Sequence, residues 1–270
     1  MDRALIIVIG IITLSACRLS NTINIDLTPF IDYTDYDESY FSKAEYFGLI
    51  GQRDSAFHYL SLSEDSHSKT ILSNANFASL TDDIRWEKLV DDIAVKNNIS
   101  QIERYKAEWN INDGAYIPVI KSIGKSVMSK EEKEELLDSF WSRNKVHRRK
   151  NVAILEKLAD INTGYEDLGA TLFMTLQHIG DLETMSKYKP VMEDCLNRQI
   201  ISPYQYAYFI DRYKMLSDEK QIYGTQIKKD DSGQFYLYPV ENKVILDSLR
   251  KSAGIEISVE DYIETIKNMN

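Results

Sequence analysis

Five polar or charged residues and a glycine in the C-terminal half of the chain have the makings of a chemical site. His178 closes an apolar stretch, "LFMTLQHIGD", where a helix C-terminus would favour its protonated imidazole. Asp211, in "YAYFIDRYKM", falls on the same helix face as Tyr204, Ala207, Tyr208 and Met215, so its carboxylate is expected to be at least half buried. A buried carboxylate needs a partner. The candidates are Arg212, His178 or backbone N–H groups of the segment "QIYGTQIKKDDSGQFYLYPV". That segment alternates like a strand, which puts Ile222, Gly224 and Gln226 on one face and Tyr223, Thr225 and Ile227 on the other. Gly224 would leave a gap beside Gln226 that admits a side chain, a backbone or a ligand.

Two readings follow. In one, His178 is a general acid or base, Asp211 orients it or shares its proton, Arg212 holds an anionic group, and Thr225 and Gln226 hydrogen-bond a substrate. In the other, the same groups form a buried network that pins the segment onto the helices. No Gly-x-Ser-x-Gly or His-Glu-x-x-His motif accompanies them. Four histidines and two cysteines give no metal-ligand spacing, and no cofactor is expected.

These residues must be positioned by helices. "LGATLFMTLQH" is apolar nearly all round and predicts a buried helix from Leu168, stopped by Gly180. A helix is expected around Lys187 to Arg198, with Cys195 as a small buried apolar residue. Ser202-Pro203-Tyr204-Gln205 combines an N-cap, a proline at the first helical position and a capping-box glutamine, and starts a helix running to Leu216. Lys229 to Gly233 is a turn cluster between two alternating runs, predicting a β-hairpin near 222–238. Helices around 241–252 and 258–268 follow, the second opened by the capping box Ser258 to Asp261.

Upstream, residues 98–128 read as a connector with a weak helical pattern and a turn cluster in "NINDGAYIP". Ser129 and Glu132 form a capping box opening a long charged helix through about Ala159. Leu136, Phe140, Val146, Val152, Leu155 and Leu158 are its expected buried stripe. Its basic run, Lys145 to Lys150, reads as a solvated face. Residues 38–64 hold two helical patterns broken at Gly51. Their Ala44, Tyr46, Gly51, Asp54, Ala56, Phe57, Tyr59 and Leu60 resemble a tetratricopeptide-type helix pair. Phe77, Leu80, Asp82, Asp83, Arg85, Trp86 and Leu89 resemble the closing segment after such repeats. One repeat cannot stand alone, so this part is expected to pack on the rest of the chain.

The beginning reads "MDRALIIVIGIITLSACRLS". A positive start precedes an apolar run too short to span a bilayer. Leu14-Ser15-Ala16-Cys17 then resembles the lipobox of bacterial lipoproteins. That resemblance implies cleavage after residue 16 and acylation of Cys17, followed by a tether over 17–37. The arginine at position 18 resembles proteins sent to the outer membrane.

From about residue 100 to 268 the chain resembles an uncharacterised bacterial family, domain of unknown function 6624. The words that carry the likeness are "LFMTLQHIGD", "YAYFIDRYKM", "QIYGTQ" and "PVENKVILDSLRKSAGI". The family implies no reaction, but its motifs point to His178, Asp211, Arg212, Tyr223, Gly224, Thr225 and Gln226.

The expectation is therefore a mainly α protein. A repeat-like region over 38–97 packs on a helical domain over 98–270 that carries one small antiparallel hairpin. The chain has 270 residues, is 43% hydrophobic and 27% charged, and carries a formal charge of -10. An acidic chain without a basic block argues against nucleic-acid binding. Its 17 tyrosines suit interaction surfaces. A lipid-anchored binding module with an envelope protein or glycan partner is the first reading, and an envelope hydrolase using His178 and Asp211 the second.

Overall fold

The computed structural model describes residues 38–63, 68–125, 129–162, 164–230 and 234–268. The expected signal peptide, Cys17 and the tether lie outside the described residues. The fold is mainly α, with one two-stranded antiparallel hairpin. No helix of the described residues is long and apolar enough to cross a membrane.

The chain divides into two compact units, one ending at Ile161 and the other beginning at Asn162. In the N-terminal unit, α1 (Tyr40–Leu49) and α2 (Arg53–Leu62) form the expected pair, turning at Gly51 with φ +77°. Ala44 and Ala56 are fully buried between them, and Phe47 stacks on Tyr59 at 5.4 Å. After a short α3 (Ser68–Ile71), a 3-10 helix, Ala75–Leu80, seats Phe77 and Leu80 in the core. A Cβ on Gly48 would come within 2.8 Å of the Asn76 carbonyl oxygen, so α1 needs glycine there. The helix α4 (Ile84–Asn97) is capped by Asp83 and ends at Asn98 in the left-handed region.

The expected connector is instead two helices, α5 (Gln101–Gly114) and α6 (Tyr116–Lys125). Ser100 and Glu103 make a full capping box, and Trp109 and Ile111 are buried. Pro118 falls in the first turn of α6, where its missing N–H costs nothing. The core joining Phe41, Phe77, Trp86 and Val90 reaches Ile111 and Ala115, so residues 98–161 belong to this unit. The long helix α7 (Lys130–Ile161) buries Leu136, Leu155 and Leu158 as expected, and Ile154 with them. Val146 is 52% exposed, because it stands off that stripe. The Phe140 side chain is outside the described residues.

In the C-terminal unit, α8 (Gly169–Ile179) ends at Gly180 with φ +60°. It starts so close to the Ile200 backbone that a Cβ on Gly169 would overlap the carbonyl. Helix α9 (Leu182–Asn197) begins one turn earlier than expected, because Asp181 caps it by accepting from the Glu183 and Thr184 N–H groups. Cys195 is buried. Helix α10 (Pro203–Leu216) has the predicted capping box: Ser202 Oγ accepts from Gln205 N, and Gln205 Oε1 from Ser202 N. Strands β1 (Ile227–Lys229) and β2 (Phe235–Leu237) pair with Ile227 opposite Leu237. Helices α11 (Leu246–Ser252) and α12 (Val259–Asn268) close the unit. Tyr262 and Ile266 of α12 pack on Ile227 and Phe235 of the hairpin.

Candidate functional site

The hairpin is shorter than the alternating pattern implied. Residues 222–226 are a loop, not a strand, and Gly224 sits in it at φ +65°. The expected alternation of faces across 222–227 therefore does not hold, because a left-handed residue breaks the two-residue period. The space beside Gly224 is filled. A Cβ there would lie 3.3 Å from one Leu246 methyl carbon and 3.6 Å from a Leu237 methyl carbon.

A loop inside a protein must have its peptide groups satisfied. Here side chains do that work from two directions. Asp211, fully buried on α10, accepts from the N–H groups of Ile222 (2.7 Å), Tyr223 (3.0 Å) and Thr225 (2.9 Å), and from Thr225 Oγ1 (3.0 Å). Burial pushes its carboxyl above the usual range, and those N–H groups pull it back. On the carbonyl side, Arg250 of α11 donates from one guanidinium nitrogen to Tyr223 O and Gly224 O, each at 2.9 Å. Its other nitrogens donate to Ile257 O. The Tyr262 hydroxyl donates to Thr225 O at 3.0 Å. Burial pushes the Tyr262 phenol up to about 12 and lowers the Arg250 guanidinium from its ordinary value.

Gln226 continues the network. Arg212 Nε donates to Gln226 Oε1 at 3.2 Å, and another Arg212 nitrogen donates to Gln177 O at 2.5 Å. This ties the loop to the end of α8, beside His178. Gln226 Nε2 donates to Thr225 Oγ1. Gln221, fully buried, pairs its side-chain amide with the Gln226 backbone as a strand neighbour would. Its Oε1 accepts from Gln226 N at 2.9 Å, and its Nε2 donates to Gln226 O at 3.0 Å and to Tyr238 O at 2.6 Å.

Of the predicted residues, Asp211, Tyr223, Gly224, Thr225 and Gln226 meet in one place, and Arg212 joins them. His178 is buried nearby on α8, but it is not among the donors to Asp211. The carboxylate is occupied by the loop, and Arg212 by Gln226 and Gln177. Arg212, Thr225 and Gln226 are each no more than 2% exposed. A substrate would have to displace this network to reach any of them. Sequence reasoning missed Gln221, Arg250 and Tyr262. The words "QIYGTQ" and "LRKSAGI" contain the first two, but nothing in their local spacing marks them as buried.

No family model, curated protein or solved structure matches this chain. The reading of function therefore rests on what the two units present to solvent.

The N-terminal unit presents an open cleft of about 360 Å³ between α4, α5 and α7. That volume lies at the small end of the range typical of ligand sites, roughly 300–1,000 Å³. Trp86, Val90 and Ile111, all buried, form its apolar floor. Glu87 and Glu108, Arg104 and Lys157 supply charge around it. Half of the charged residues that line it, Asp82, Asp83 and Arg104, have ion-pair partners within the protein. Asp82 pairs with Lys150, Asp83 with Arg85 at 2.7 Å, and Arg104 with Asp91. Glu108 is different. Burial raises its carboxyl above the usual range, Lys157 acts against that shift, and Glu87 adds to it. Lys157 lies over the Tyr105 ring, 5.3 Å from its centre. No group of three or more His, Cys, Asp or Glu among the described residues could hold a metal ion.

Proposed function

We propose that this chain is a lipid-anchored protein of the bacterial cell envelope, held at the outer membrane through Cys17, and that it works as a binding module. The observation that carries the binding role is the cleft between α4, α5 and α7. It combines an apolar floor, an aromatic wall and incompletely paired charges, which is the composition of a recognition site. The small-residue run before Cys17 supports the anchor. Several acyl chains on one residue hold a protein on a membrane stably, where a single chain is marginal. The hydrolase alternative has less to rest on, because the Asp211 carboxylate is committed to the loop at 222–225. The likeness to domain of unknown function 6624 carries no reaction to this chain.

Two measurements test the reading. Cells fed an alkyne fatty acid should label the wild-type chain and not Cys17→Ala. A photo-crosslinking side chain placed at Ile84, 77% exposed on the cleft rim, should give a discrete adduct in intact envelopes. An unlabelled wild type, or no adduct from the cleft, refutes the corresponding half of the proposal.

A further inference from the structure

Glu108 and Lys157 come from different helices, α5 and α7, and line the same cleft. Each acts electrostatically on its surroundings there, and Lys157 is the foremost charge acting on Glu108. Yet among the described residues no ion pair joins them, and neither has an ion pair or hydrogen bond elsewhere. The neighbouring charges on the rim do find partners, as Asp82, Asp83 and Arg104 show. Glu108 and Lys157 therefore line one cavity without pairing, with Glu87, a second carboxylate, beside them. Burial makes the charge on the Glu108 carboxylate costly, and a ligand cation placed against it offsets part of that cost.

The signs restrict the ligand. A simple cation drawn to Glu108 meets the repulsion of Lys157. A simple anion drawn to Lys157 meets Glu108 and Glu87. A metal ion or a phosphate is disfavoured on the same ground. A molecule carrying one ammonium and one carboxylate offsets both penalties, its ammonium answering Glu108 and Glu87 and its carboxylate answering Lys157. The cleft is small, and its floor of Trp86, Val90, Ile111 and Leu72 is apolar, while Asp82, Asp83, Glu87 and Arg104 bring further charge to its rim.

We propose that the cleft binds a small zwitterion, a free amino acid or a short peptide with an apolar side chain, whose ammonium sits on Glu108 and whose carboxylate sits on Lys157. This deepens the binding-module reading and rests on it.

The test is calorimetric titration of the full chain in detergent with four probes: leucine, leucyl-leucine, N-acetyl-leucine and leucinamide. Leucine or leucyl-leucine should bind, and which of them does separates the free amino acid from the peptide. N-acetyl-leucine lacks the ammonium and leucinamide the carboxylate. Each should bind at least about tenfold more weakly, the loss expected for one charged hydrogen bond. Glu108→Gln and Lys157→Met should each weaken zwitterion binding to the same degree. Lys157 is exposed, so its replacement leaves the fold intact and carries the test alone if Glu108→Gln misfolds. The assignment is overturned if neither zwitterion binds, if the singly charged probes bind equally well, or if Lys157→Met binds unchanged. Should adducts from Ile84 persist without zwitterion binding, the ligand is wrong and the binding module stands. Loss of both removes the module as well.

Discussion

Asp211 and Arg250 grip one loop by its two chemical sides. The carboxylate takes the N–H groups of residues 222, 223 and 225, while the guanidinium donates to the carbonyls of 223 and 224. Neither residue contacts the other as an ion pair, yet each depends on the loop shape that the other imposes. The chemistry that marked Asp211 in the sequence, a charged group on an apolar helix face, is used here to hold backbone rather than substrate.

Asp211→Asn is the direct probe. The amide replaces one acceptor with an NH2 group that faces peptide N–H donors. It should cost the C-terminal unit about 1.5–3 kcal/mol, the range for a hydrogen bond to a charged group. His178→Ala should also lower stability, by about 2–4 kcal/mol, as the removal of a buried side chain does. Urea unfolding measures both. A His178→Ala chain as stable as wild type would revive the site reading for that residue.

Arg250→Lys tests the other side of the loop. One ammonium cannot reach Tyr223 O, Gly224 O and Ile257 O together, as the planar fork does. The change should cost about 2–3 kcal/mol through buried carbonyls left without donors. Because both residues act on one loop, Asp211→Asn combined with Arg250→Lys should cost less than the sum, by about 0.5–3 kcal/mol. Strict additivity in the double-mutant cycle would mean that the loop does not couple them.

Gly224→Ala separates backbone strain from crowding. The residue has φ +65°, and a Cβ there would press on Leu246 at 3.3 Å. A cost of about 1–2 kcal/mol is expected, most of it from the left-handed backbone. In a Leu246→Ala background the crowding is gone and only the backbone part, about 1 kcal/mol, should remain. An unchanged penalty would assign the whole effect to φ.

Much of this fold was legible in the sequence because its signals are local. The Ser202-Pro203-Gln205 start of α10 and the Gly180 end of α8 need only neighbours within one turn to work. Asp211 was legible as a buried acid for the same reason, since its own helix face shows it. Its partners were not, because peptide N–H groups carry no sequence mark. Arg250 stands in the last turn of α11, where a cation is usual at the surface. The helices α5 and α6 were hidden by Asn112, Asp113, Gly114 and Pro118, which read as a turn. Asn112 is in fact buried, with its side-chain oxygen 3.1 Å from His147 Nδ1. The Ser100–Glu103 capping box was the signal that could have revealed α5. The cleft was illegible for a different reason. Glu87, Glu108 and Lys157 sit on three helices, and only tertiary packing brings them to one cavity.

Tyr262 should make the C-terminal unit sensitive to alkali. An unfolded tyrosine loses its proton near pH ~10. In the folded chain burial holds the phenol up to about 12, and the hydroxyl donates to Thr225 O. Between those values the folded state keeps a proton that the unfolded state has released. Stability therefore falls as pH rises through this window, is independent of this group below it, and levels off above it. The full loss is about 2–3 kcal/mol, because holding a proton to a tenfold lower proton concentration takes about 1.4 kcal/mol. Tyr262→Phe lacks the proton and should show that much less dependence on pH, although it starts less stable because Thr225 O has lost its donor. Urea midpoints of the two proteins, measured from about pH 9 to about pH 12, decide the matter. Parallel curves would mean that Tyr262 ionises no differently in the folded chain and that the alkaline loss belongs to another group, Tyr208 first, whose phenol burial also raises.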